Sequence, residues 1–389
     1  MLLFFLYQNI IMHELPFRDY HVLQILDSYE KQTYPLDLFI SHYFRENKSL
    51  GSKDRGAIAE VIYSMIRWQG LIDHLTEKPV SWEKRFHTYN NVCFKDRQND
   101  EEIPLHIRLS FPKVLFDLMV ASVGIDQTIE LCKISNQVAP TTVRANSMKI
   151  TRDELMNRFT EPYQVRVCKD SEFGIVFIKK INLFGTPEFK AGLFEVQDEG
   201  SQLLAALVKA QTGQQIMDYC AGSGGKTLAF APAMQNKGQI FLHDIRSRAL
   251  AESKIRLRRA GIQNAQVVEA HDEKRLKKLK KKMDVVLVDA PCSGTGTMRR
   301  NPDMKWSFSA DTVPRLIGQQ RTIFEKALSF MHPKGKIICA TCSILVHENQ
   351  DQMNHFLSTY NLKVVGEPFQ TYPTDGGMDG FFAVTFEYA

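Results

Sequence analysis

Two cysteines, each following a short apolar run, are the residues in this sequence best suited to chemistry. Cys292 lies in the segment Asp289–Gly296, and Cys342 comes fifty residues later. Apolar runs of this length are typical of buried parallel strands, and open α/β sheets bind ligands at the carboxyl ends of their strands. Cysteine is also a common small buried hydrophobe. Two thiols at such positions, one of them beside the Asp289 carboxylate, nevertheless suggest covalent chemistry on an electrophilic carbon.

The two cysteines belong to a region that alternates between strand-like and helix-like patterns. Apolar runs predict parallel strands at 215–219, 239–243, 265–269, 284–288 and 336–340, and a final strand at 383–388. Helical patterns separate these runs, an alternation typical of βαβ units. We therefore predict an α/β fold of the Rossmann type, with a mostly parallel, doubly wound sheet whose carboxyl-terminal edge carries both thiols.

The first third of the sequence predicts helices instead. Residues 17–135 have helical periodicity, with Ser52 expected as the N-cap of one helix, whereas the polar residues 83–104 are expected to form a loop. A short mixed segment follows, in which we predict strands at 142–146, 163–167 and 174–179 and a helix at 152–159. The sequence thus predicts an all-α region, a small α+β module and the α/β domain.

A glycine-rich loop, Cys220–Thr227, follows the first strand of the predicted parallel sheet and leads into a helix. Glycine lets a backbone turn sharply and approach a ligand, and a helix start offers free N–H groups. One interpretation is a phosphate loop of the form G-x-x-x-x-G-K-[ST], but the first glycine of that motif would fall at Cys220. The other is a methyl-donor site, in which the loop surrounds the amino-acid end of S-adenosylmethionine.

Two acids at the next strand ends favour the methyl-donor site. Asp244 closes the second strand, where it can hold the ribose hydroxyls, and Asp272 follows the third, where it can contact the adenine amino group. Either acid alone is more often a helix cap or a turn residue. A glycine-rich loop and two acids at the ends of three consecutive strands are better explained by one bound ligand than by three unrelated turns.

The composition is that of a globular protein, with 44% apolar residues, 24% charged residues and a net charge of +5. Its cations concentrate in Lys274–Lys282 and Arg246–Arg259, which are either solvated helix faces or contacts to a polyanion such as nucleic acid. Seven cysteines without framework spacing favour a reducing compartment, hence a cytoplasmic protein. Cys339 and Cys342 form a C-x-x-C pair, but without a second pair we expect no metal site.

The first eleven residues are apolar, but they are too few to cross a bilayer and no basic region precedes them. A true start at Met12 would explain this stretch. No later segment has the length and apolar character of a transmembrane helix, so we expect no membrane partner.

Taken together, several segments resemble the RsmB (Sun)/NOP family of RNA cytosine-5 methyltransferases. They are Val196–Gln202, Cys220–Thr227, Asp289–Gly296, Arg299–Trp306, Ala340–Ser343 with Glu348 and Asn349, and Asp379–Phe382. The resemblance covers essentially the whole chain. It implies a NusB-like RNA-binding domain at 13–135, a linker module at 136–194 and a class I methyltransferase domain at 195–389. One departure is Ser223, where the family usually has proline, which implies a more mobile loop and a lower affinity for the donor.

The resemblance also implies roles for individual residues. It makes Cys342 the nucleophile and gives Cys292 a part in product release, although DNA cytosine-5 methyltransferases attack with the thiol that corresponds to Cys292, and spacing alone does not decide. Asp289 is expected to bind the base, and Lys226 to connect cofactor and active site. The implied cofactor-binding residues are Cys220, Ala221, Gly222, Ser223, Gly224, Gly225, Lys226, Asp244, Asp272 and Asp289, and the implied RNA contacts are Arg299, Arg300, Lys305, Trp306, Arg144 and Asn146.

The expected reaction is methyl transfer from S-adenosylmethionine to C5 of a cytidine in structured RNA, with 16S ribosomal RNA as the expected substrate and transfer RNA as the alternative. We expect a monomer. Two hypotheses of other classes remain open at this point: a P-loop nucleotidase that binds ATP through Lys226, and a non-catalytic ribosome-assembly factor that binds RNA and donor without methyl transfer.

Overall fold

The structure, a computed structural model, describes residues 15–32, 34–159, 163–179 and 181–389, with the side chain of Lys95 left out. The expected start at Met12 lies outside these residues. Among the described residues, no helix combines the length and the apolar character that crossing a bilayer requires. The chain divides into two compact units: the described residues up to Gln137 together with Met298–Ser309, and Val138–Thr297 together with Ala310–Ala389.

The first unit is helical. Its helices are α1 Phe17–Tyr29, α2 Leu36–Glu46, α3 Ser52–Arg67, α4 Gln69–Leu75, α5 Trp82–Asn91, α6 Phe94–Gln98, α7 Leu105–Arg108, α8 Lys113–Val123 and α9 Ile125–Ser135, and a 3-10 turn, Pro302–Lys305, joins them. Its core is formed by buried apolar side chains on one face of α1 and one face of α3, among them Ile25, Leu26, Ile58 and Ile62. The all-α prediction is confirmed for this unit.

Two local predictions in the helical unit are wrong. Gly51 and not Ser52 is the N-cap of α3, and Ser52 is the first helical residue. The expected loop at 83–104 contains α5 and α6. The pattern fails there because Trp82 and Thr88 are the only buried residues of α5, which leaves almost no apolar periodicity. The Ser81 hydroxyl starts the helix by accepting the Lys84 N–H at 3.3 Å.

The second unit begins with a small antiparallel sheet of strand order β2-β3-β1-β4. Its elements are β1 Thr141–Ala145, α10 Arg152–Arg158, β2 Val165–Val167, β3 Gly174–Phe177, α11 Pro187–Lys190 and β4 Phe194–Val196. A capping box between Thr151 and Glu154 starts α10. All four elements predicted between 142 and 179 are therefore present, each within two residues at its ends.

The large sheet of this unit has the strand order β10-β12-β9-β8-β5-β6-β7, with β11 paired to β12. Its elements are α12 Glu199–Ala206, β5 Gln215–Asp218, α13 Gly225–Phe230, β6 Gln239–Asp244, α14 Ser247–Ala260, β7 Ala265–Glu269, α15 Glu273–Leu279, β8 Met283–Asp289, α16 Thr312–Leu328, β9 Met331–Thr341, α17 Gln350–Thr359, β10 Leu362–Val364, β11 Phe369–Thr371 and β12 Phe381–Tyr388. Strands β5 to β9 pair in parallel, whereas β10 to β12 are antiparallel. The Rossmann-type prediction is confirmed.

Both faces of the large sheet are buried, which explains the continuous apolar runs in the sequence. Ile216 and Val285 pack in one core cluster, and their chain neighbours Met217 and Val286 pack in the other, on the opposite face. The carboxyl ends of β5, β6, β8 and β9 therefore come together at one edge of a rigid scaffold.

Candidate active site

The two chemically promising thiols meet at the carboxyl ends of β8 and β9. These strands pair in parallel, with Asp289 in register with Ala340, so the loops that follow them are adjacent. The Gly296 N–H donates to the Cys342 carbonyl at 2.9 Å, which joins the two loops. The Sγ atoms of Cys292 and Cys342 lie 3.4 Å apart, within hydrogen-bonding range for sulfur, and both side chains are partly buried.

The surroundings give the two thiols opposite tendencies to ionise. The pKa of Cys342 lies below its ordinary value because the Cys292 S–H can donate to its thiolate and because the Lys226 cation is close, although burial and Asp289 act against ionisation. The pKa of Cys292 is raised by that same hydrogen bond, by burial and by the Glu348 carboxylate. A pair in which Cys342 is the thiolate and Cys292 the protonated donor is therefore favoured.

A buried polar network fixes the loop that carries Cys292. Glu348 is 2% exposed, and its carboxylate accepts the Ser293 N–H at 2.9 Å and the Ser293 hydroxyl at 2.5 Å. The Ser343 hydroxyl lies within 3.3 Å of that of Ser293 and 3.0 Å of that of Thr295. Because these groups are buried and mutually satisfied, they hold both sulfur atoms in a defined geometry.

Lys226 and Asp289 form an ion pair beside the thiols. The Lys226 ammonium donates directly to the Asp289 carboxylate. Burial alone would lower the pKa of Lys226, but Asp289 outweighs it, and the net pKa is raised. A lysine already paired with a carboxylate is poorly placed to hold a nucleotide phosphate, which argues against the P-loop interpretation.

A cavity of about 1040 Å³ opens at the ends of β5 and β6, next to this ion pair. The residues of the glycine loop that line it are Cys220, Ala221, Gly222, Ser223, Gly225 and Lys226, and the strand ends add Asp218, Asp244, Asp289 and Pro291. Burial raises the pKa of Asp218 to about 7, and its Oδ1 atom has no hydrogen-bond partner among the described residues. A buried carboxyl with one oxygen left unsatisfied inside a cavity of this size fits a polar ligand such as S-adenosylmethionine.

The backbone of the glycine loop is shaped for close approach to this cavity. Gly224 adopts φ 79°, and a Cβ there would lie 3.2 Å from the Ser253 side chain, so only glycine fits without strain. The Gly222 N–H donates to the Asp244 carboxylate at 2.8 Å. Burial raises the pKa of Asp244, but hydrogen bonds from Arg246 and Gly222 outweigh it and keep the carboxyl ionised. Asp244 thus lies in the cavity lining.

Ser223, the departure from the family pattern, is held by a cation. The Arg256 guanidinium donates to the Ser223 hydroxyl at 2.7 Å and to its carbonyl at 3.1 Å, and also to the Glu195 carboxylate at 3.0 Å. Arg256 itself lines the cavity. The loop is therefore tied to α14 and β4 by a contact that proline could make only through its carbonyl.

Asp272 is the one predicted cofactor acid that the structure does not bring to the cavity. Its carboxylate accepts the Arg275 N–H at 3.1 Å and caps α15, and Asp272 is not part of the cavity lining. The adenine contact expected of it is thus not supported, because the carboxylate is already used at the start of the helix.

Two predicted RNA contacts in the small sheet are corrected by their burial. Arg144 is 4% exposed and donates to the Gln197 side chain and, at 2.7 Å, to the Leu228 carbonyl. Asn146 is 3% exposed and donates to the Gly192 and Ala260 carbonyls at 2.9 and 2.8 Å. Both side chains join elements inside the unit and do not face solvent, so they cannot contact RNA without rearrangement.

The other predicted RNA contacts belong to the helical unit, because the chain enters that unit at Met298. Lys305 is 0% exposed, and its ammonium donates to the Arg67 and Ser110 carbonyls and to the Asn136 side chain at 2.7 to 2.9 Å. The Trp306 indole donates to the Ile66 carbonyl at 2.7 Å. Arg299 is 1% exposed, whereas Arg300 is partly exposed. Lys305 and Arg299 are buried structural residues here, which corrects the RNA contacts predicted for them, whereas the Trp306 side chain is partly exposed.

One wall of the cavity was missed from the sequence. Helix α16 contributes Arg315, Gly318, Gln319, Thr322, Ile323 and Lys326 to the lining. Gly318, Thr322 and Lys326 recur every four residues, which places them on one helix face. That face is polar or small amid apolar positions, a signal that could have indicated a helix lining a ligand site.

Comparisons with known proteins agree with this geometry. Residues 205–387 match the family model described as 16S rRNA methyltransferase RsmB/F, and residues 111–183 match its ferredoxin-like domain. Ribosomal RNA small subunit methyltransferase B of Pasteurella multocida is 30% identical over 273 residues, which cover 65% of this chain and 60% of the relative. The Pseudomonas syringae protein of the same name is 28% identical over 317 residues, covering 75% and 70%.

A solved structure has the same fold as this chain. The crystal structure of PH0851 has a TM-score of 0.80 to this chain at 20% identity, and the alignment covers 94% of this chain and 97% of that one. The ferredoxin-like match begins at 111, before the module boundary that the sequence predicts at 136. Together with the parallel sheet and the cavity, the two family matches assign residues 111–183 and 205–387 to the RsmB/F family of ribosomal RNA methyltransferases.

Proposed function

We propose that this protein methylates C5 of a specific cytidine in 16S ribosomal RNA through a covalent bond between Cys342 and C6 of the base. The observation that carries the proposal is the pair of thiols 3.4 Å apart, with Lys226 and Asp289 beside them. A packing role for the cysteines requires neither a nearby ion pair nor opposite ionisation of two adjacent thiols.

Covalent attack answers the central difficulty of the reaction, which is that C5 of cytosine is a weak nucleophile. The Cys342 thiolate forms a bond to C6, and the electron pair of the C5–C6 double bond makes C5 able to attack an electrophilic methyl group. A free thiol with a pKa of about 8.5 is only a few per cent ionised at neutral pH. Lowering that pKa to near 7 recovers about 2 kcal/mol.

When bound, S-adenosylmethionine supplies the electrophilic methyl group. The Gly222 and Gly224 backbone, Asp244 and the Asp218 carboxyl would hold it, since all but Gly224 line the cavity and Gly224 gives the loop its shape. Helix α16 closes the opposite wall. These groups orient the donor and exclude water from the methyl group.

Asp289 and Lys226 suit the recognition of the base. The Asp289 carboxylate is partly exposed to the cavity, where it can accept from the N4 amino group and interact with N3 as charge develops on the ring. Lys226 holds Asp289 in place and favours the Cys342 thiolate. One cation thus serves both the nucleophile and the group that binds the base.

Cys292 suits the last step. When a base takes the C5 proton, the electron pair of the C5–H bond re-forms the C5–C6 double bond. The C6–S bond breaks, its electron pair leaves on the Cys342 sulfur, and the aromatic ring is restored. The Cys292 S–H is within hydrogen-bonding range of this departing sulfur and stabilises it as a thiolate. This supports a role for Cys292 in release rather than in attack.

The identity of the target rests on the relatives, whose printed names include small-subunit ribosomal RNA methyltransferase B. The test is to map 5-methylcytosine in 16S, 23S and transfer RNA from cells with and without the gene, and to repeat the reaction with purified protein, S-adenosylmethionine and each RNA. We expect one cytidine of 16S RNA to lose its methyl group in the deletion strain and to regain it in vitro.

Other outcomes would change different parts of the proposal. Modification confined to transfer RNA would keep the chemistry and overturn the target. Binding of RNA and donor without methyl transfer would indicate a non-catalytic assembly factor. Undiminished transfer by a Cys342→Ala variant would overturn the covalent mechanism.

A further inference from the structure

The positive charge of this protein is concentrated at one edge of the large sheet. Residues 246–282 hold thirteen Lys and Arg against four Asp and Glu, whereas the whole chain holds 49 against 44. This stretch comprises α14, the edge strand β7, α15 and the turn that leads to β8. The catalytic geometry described above uses few of these cations, so the concentration requires another explanation.

Several of the cations are engaged inside the unit. Arg256 and Arg259 pair with Glu195, and Arg246 pairs with Asp244. The Arg275 guanidinium donates to the Val267 carbonyl at 3.0 Å and so covers the open edge of β7. These four side chains have structural partners, so they do not account for the excess of positive charge.

The remaining cations are exposed, and no ion pair within the described part of the chain involves them. We call this set the basic edge: Arg248, Lys254, Arg258, Lys274, Lys277, Lys278, Lys280, Lys281 and Lys282. Its side chains hold charges without local neutralisation, which costs electrostatic free energy in the isolated protein. A polyanionic partner would recover that cost.

The basic edge also has a defined shape. A groove of about 540 Å³ runs between α14 and β7, lined by Lys254, Arg258 and Arg275. The turn that follows α15 is fixed by its backbone, because the Lys281 and Lys282 N–H groups donate to the Ser329 and Phe330 carbonyls at 3.0 Å. The cations are thus carried by ordered helices and a fixed turn.

We propose that the basic edge binds the phosphodiester backbone of the substrate RNA at nucleotides distant from the target cytidine. This rests on the proposed function only in identifying that RNA as the substrate. Lysine and arginine side chains around a groove match regularly spaced phosphates and need no apolar anchor, whereas a stable protein interface needs an apolar centre.

Strand order sets the distance between the basic edge and the reacting thiols. From β9, which ends just before Cys342, the neighbours in order are β8, β5, β6 and β7. Four strand spacings amount to about 19 Å. The cofactor cavity lies between, at the ends of β5 and β6. The contacted phosphates therefore belong to nucleotides that a very short substrate lacks.

A binding experiment tests the surface without requiring any methyl transfer. The basic-edge variant combines Lys254→Gln, Lys277→Gln and Lys278→Gln. The control combines Lys334→Gln, Lys336→Gln and Lys363→Gln, three exposed lysines on β9 and β10 that remove the same charge. The probe is poly(U), which contains no cytidine, titrated at several salt concentrations.

We expect the basic-edge variant to lose roughly tenfold in poly(U) affinity at 0.1 M salt and to show a salt slope smaller by about 2, since each lost phosphate contact removes just under one unit of slope. The control should stay within about twofold of wild type. Equal losses in the two variants, or a preference of the basic edge for polyglutamate over poly(U), would overturn the proposal.

A kinetic experiment then tests whether the contacted phosphates lie far from the target cytidine. With full-length 16S RNA, the basic-edge variant should raise KM roughly tenfold and leave kcat unchanged. With a stem-loop reduced to the few nucleotides around the methylated cytidine, variant and wild type should agree. An equal rise in KM for both substrates would contradict binding at distant nucleotides. If the wild type methylates nothing, the proposed function fails, while the poly(U) result still decides whether the basic edge binds RNA.

Discussion

Lys226 and Lys305 are both enclosed lysines in family motifs, yet they occupy opposite kinds of surroundings. Lys226 lies against the Asp289 carboxylate and close to the Cys342 sulfur, and its pKa is raised. Lys305 is enclosed by neutral carbonyl oxygens and lies 4.5 Å from the centre of the Phe111 ring, and burial lowers its pKa to about 7. The first cation has charged partners whose chemistry it can change. Lys305 has only neutral hydrogen-bond acceptors, and its bonds join the segments that carry them.

A buried cation is therefore recognised as functional by the groups that surround it. Sequence motifs place both lysines beside catalytic segments, and at that level Lys305 is expected to contact RNA. The structure instead gives Lys305 three backbone and side-chain acceptors in the helical unit, which is the task of a cross-link.

Lys226→Met should lower kcat for methyl transfer by about 10²–10³, because Asp289 loses its partner and the Cys342 thiolate loses a stabilising cation. A shift in the pH dependence of kcat distinguishes the effect of Lys226 on Cys342 from a general loss of activity. Without the cation the pKa of Cys342 rises, so the acid limb of the kcat profile should move to higher pH. Single-turnover transfer measured across pH checks both effects.

Lys226→Arg is the matched control, since it keeps the charge and should keep the acid limb near its wild-type position. An unchanged acid limb in Lys226→Met would mean that Lys226 does not act on Cys342, even if the rate falls.

Lys305→Met should destabilise the helical unit by about 2 kcal/mol, because three buried acceptors lose their donor while the cost of burying a charge is removed. Methyl transfer by the folded protein at saturating RNA should change less than threefold. Urea unfolding followed by tryptophan fluorescence reports this unit directly, since Trp68, Trp82 and Trp306 all belong to it.

The exposed Lys48 provides the control, and Lys48→Met should stay within about 0.5 kcal/mol of wild type. Equal stability of the two variants would show that Lys305 is not a cross-link. A hundredfold loss of activity in Lys305→Met with full stability would place Lys305 in the catalytic machinery after all.

The lowered pKa of Lys305 also predicts how stability depends on pH. The folded-state pKa is about 7, and the ordinary value is 10.5, so between these values the unfolded chain binds more protons than the folded one. The contribution of Lys305 to stability therefore rises as pH increases from about 7 to 10.5. The measurement is the difference in unfolding free energy between wild type and Lys305→Met across this range. A difference that does not vary with pH would contradict the lowered pKa.

Arg256 is a third enclosed cation. Like Lys305 it donates to a backbone carbonyl, and like Lys226 it lies beside the cofactor cavity. Ser223→Ala removes one hydrogen bond from Arg256 and leaves the bond to the Ser223 carbonyl. We expect the Kd for S-adenosylmethionine to rise about threefold to fivefold, since one charge-assisted bond at a partly exposed site contributes near 1 kcal/mol. Isothermal titration calorimetry checks this, and an unchanged Kd would mean that the carbonyl contact alone fixes the loop.

Much of the α/β unit could be predicted from sequence because its signals are local. Strand β7 has the predicted bounds, and the glycine loop follows β5 and leads into the first turn of α13 as expected. The functions of Asp272 and Lys305 could not be predicted, because each depends on which groups it meets. Asp272 meets the Arg275 N–H of its own helix, and Lys305 meets carbonyl oxygens more than 150 residues away in the sequence. Spacing in a motif does not contain that information.

Trapping the covalent adduct tests directly whether Cys342 attacks the base and Cys292 releases the product. Wild type, Cys292→Ala, Cys342→Ala and the double variant are each incubated with 16S RNA and S-adenosylmethionine, denatured, and separated on a gel. Without the Cys292 S–H, departure of the Cys342 sulfur slows, so Cys292→Ala should accumulate a protein–RNA adduct that survives denaturation, and the two variants that lack Cys342 should form none. An adduct that accumulates with Cys342→Ala instead would exchange the roles of the two thiols and contradict the account.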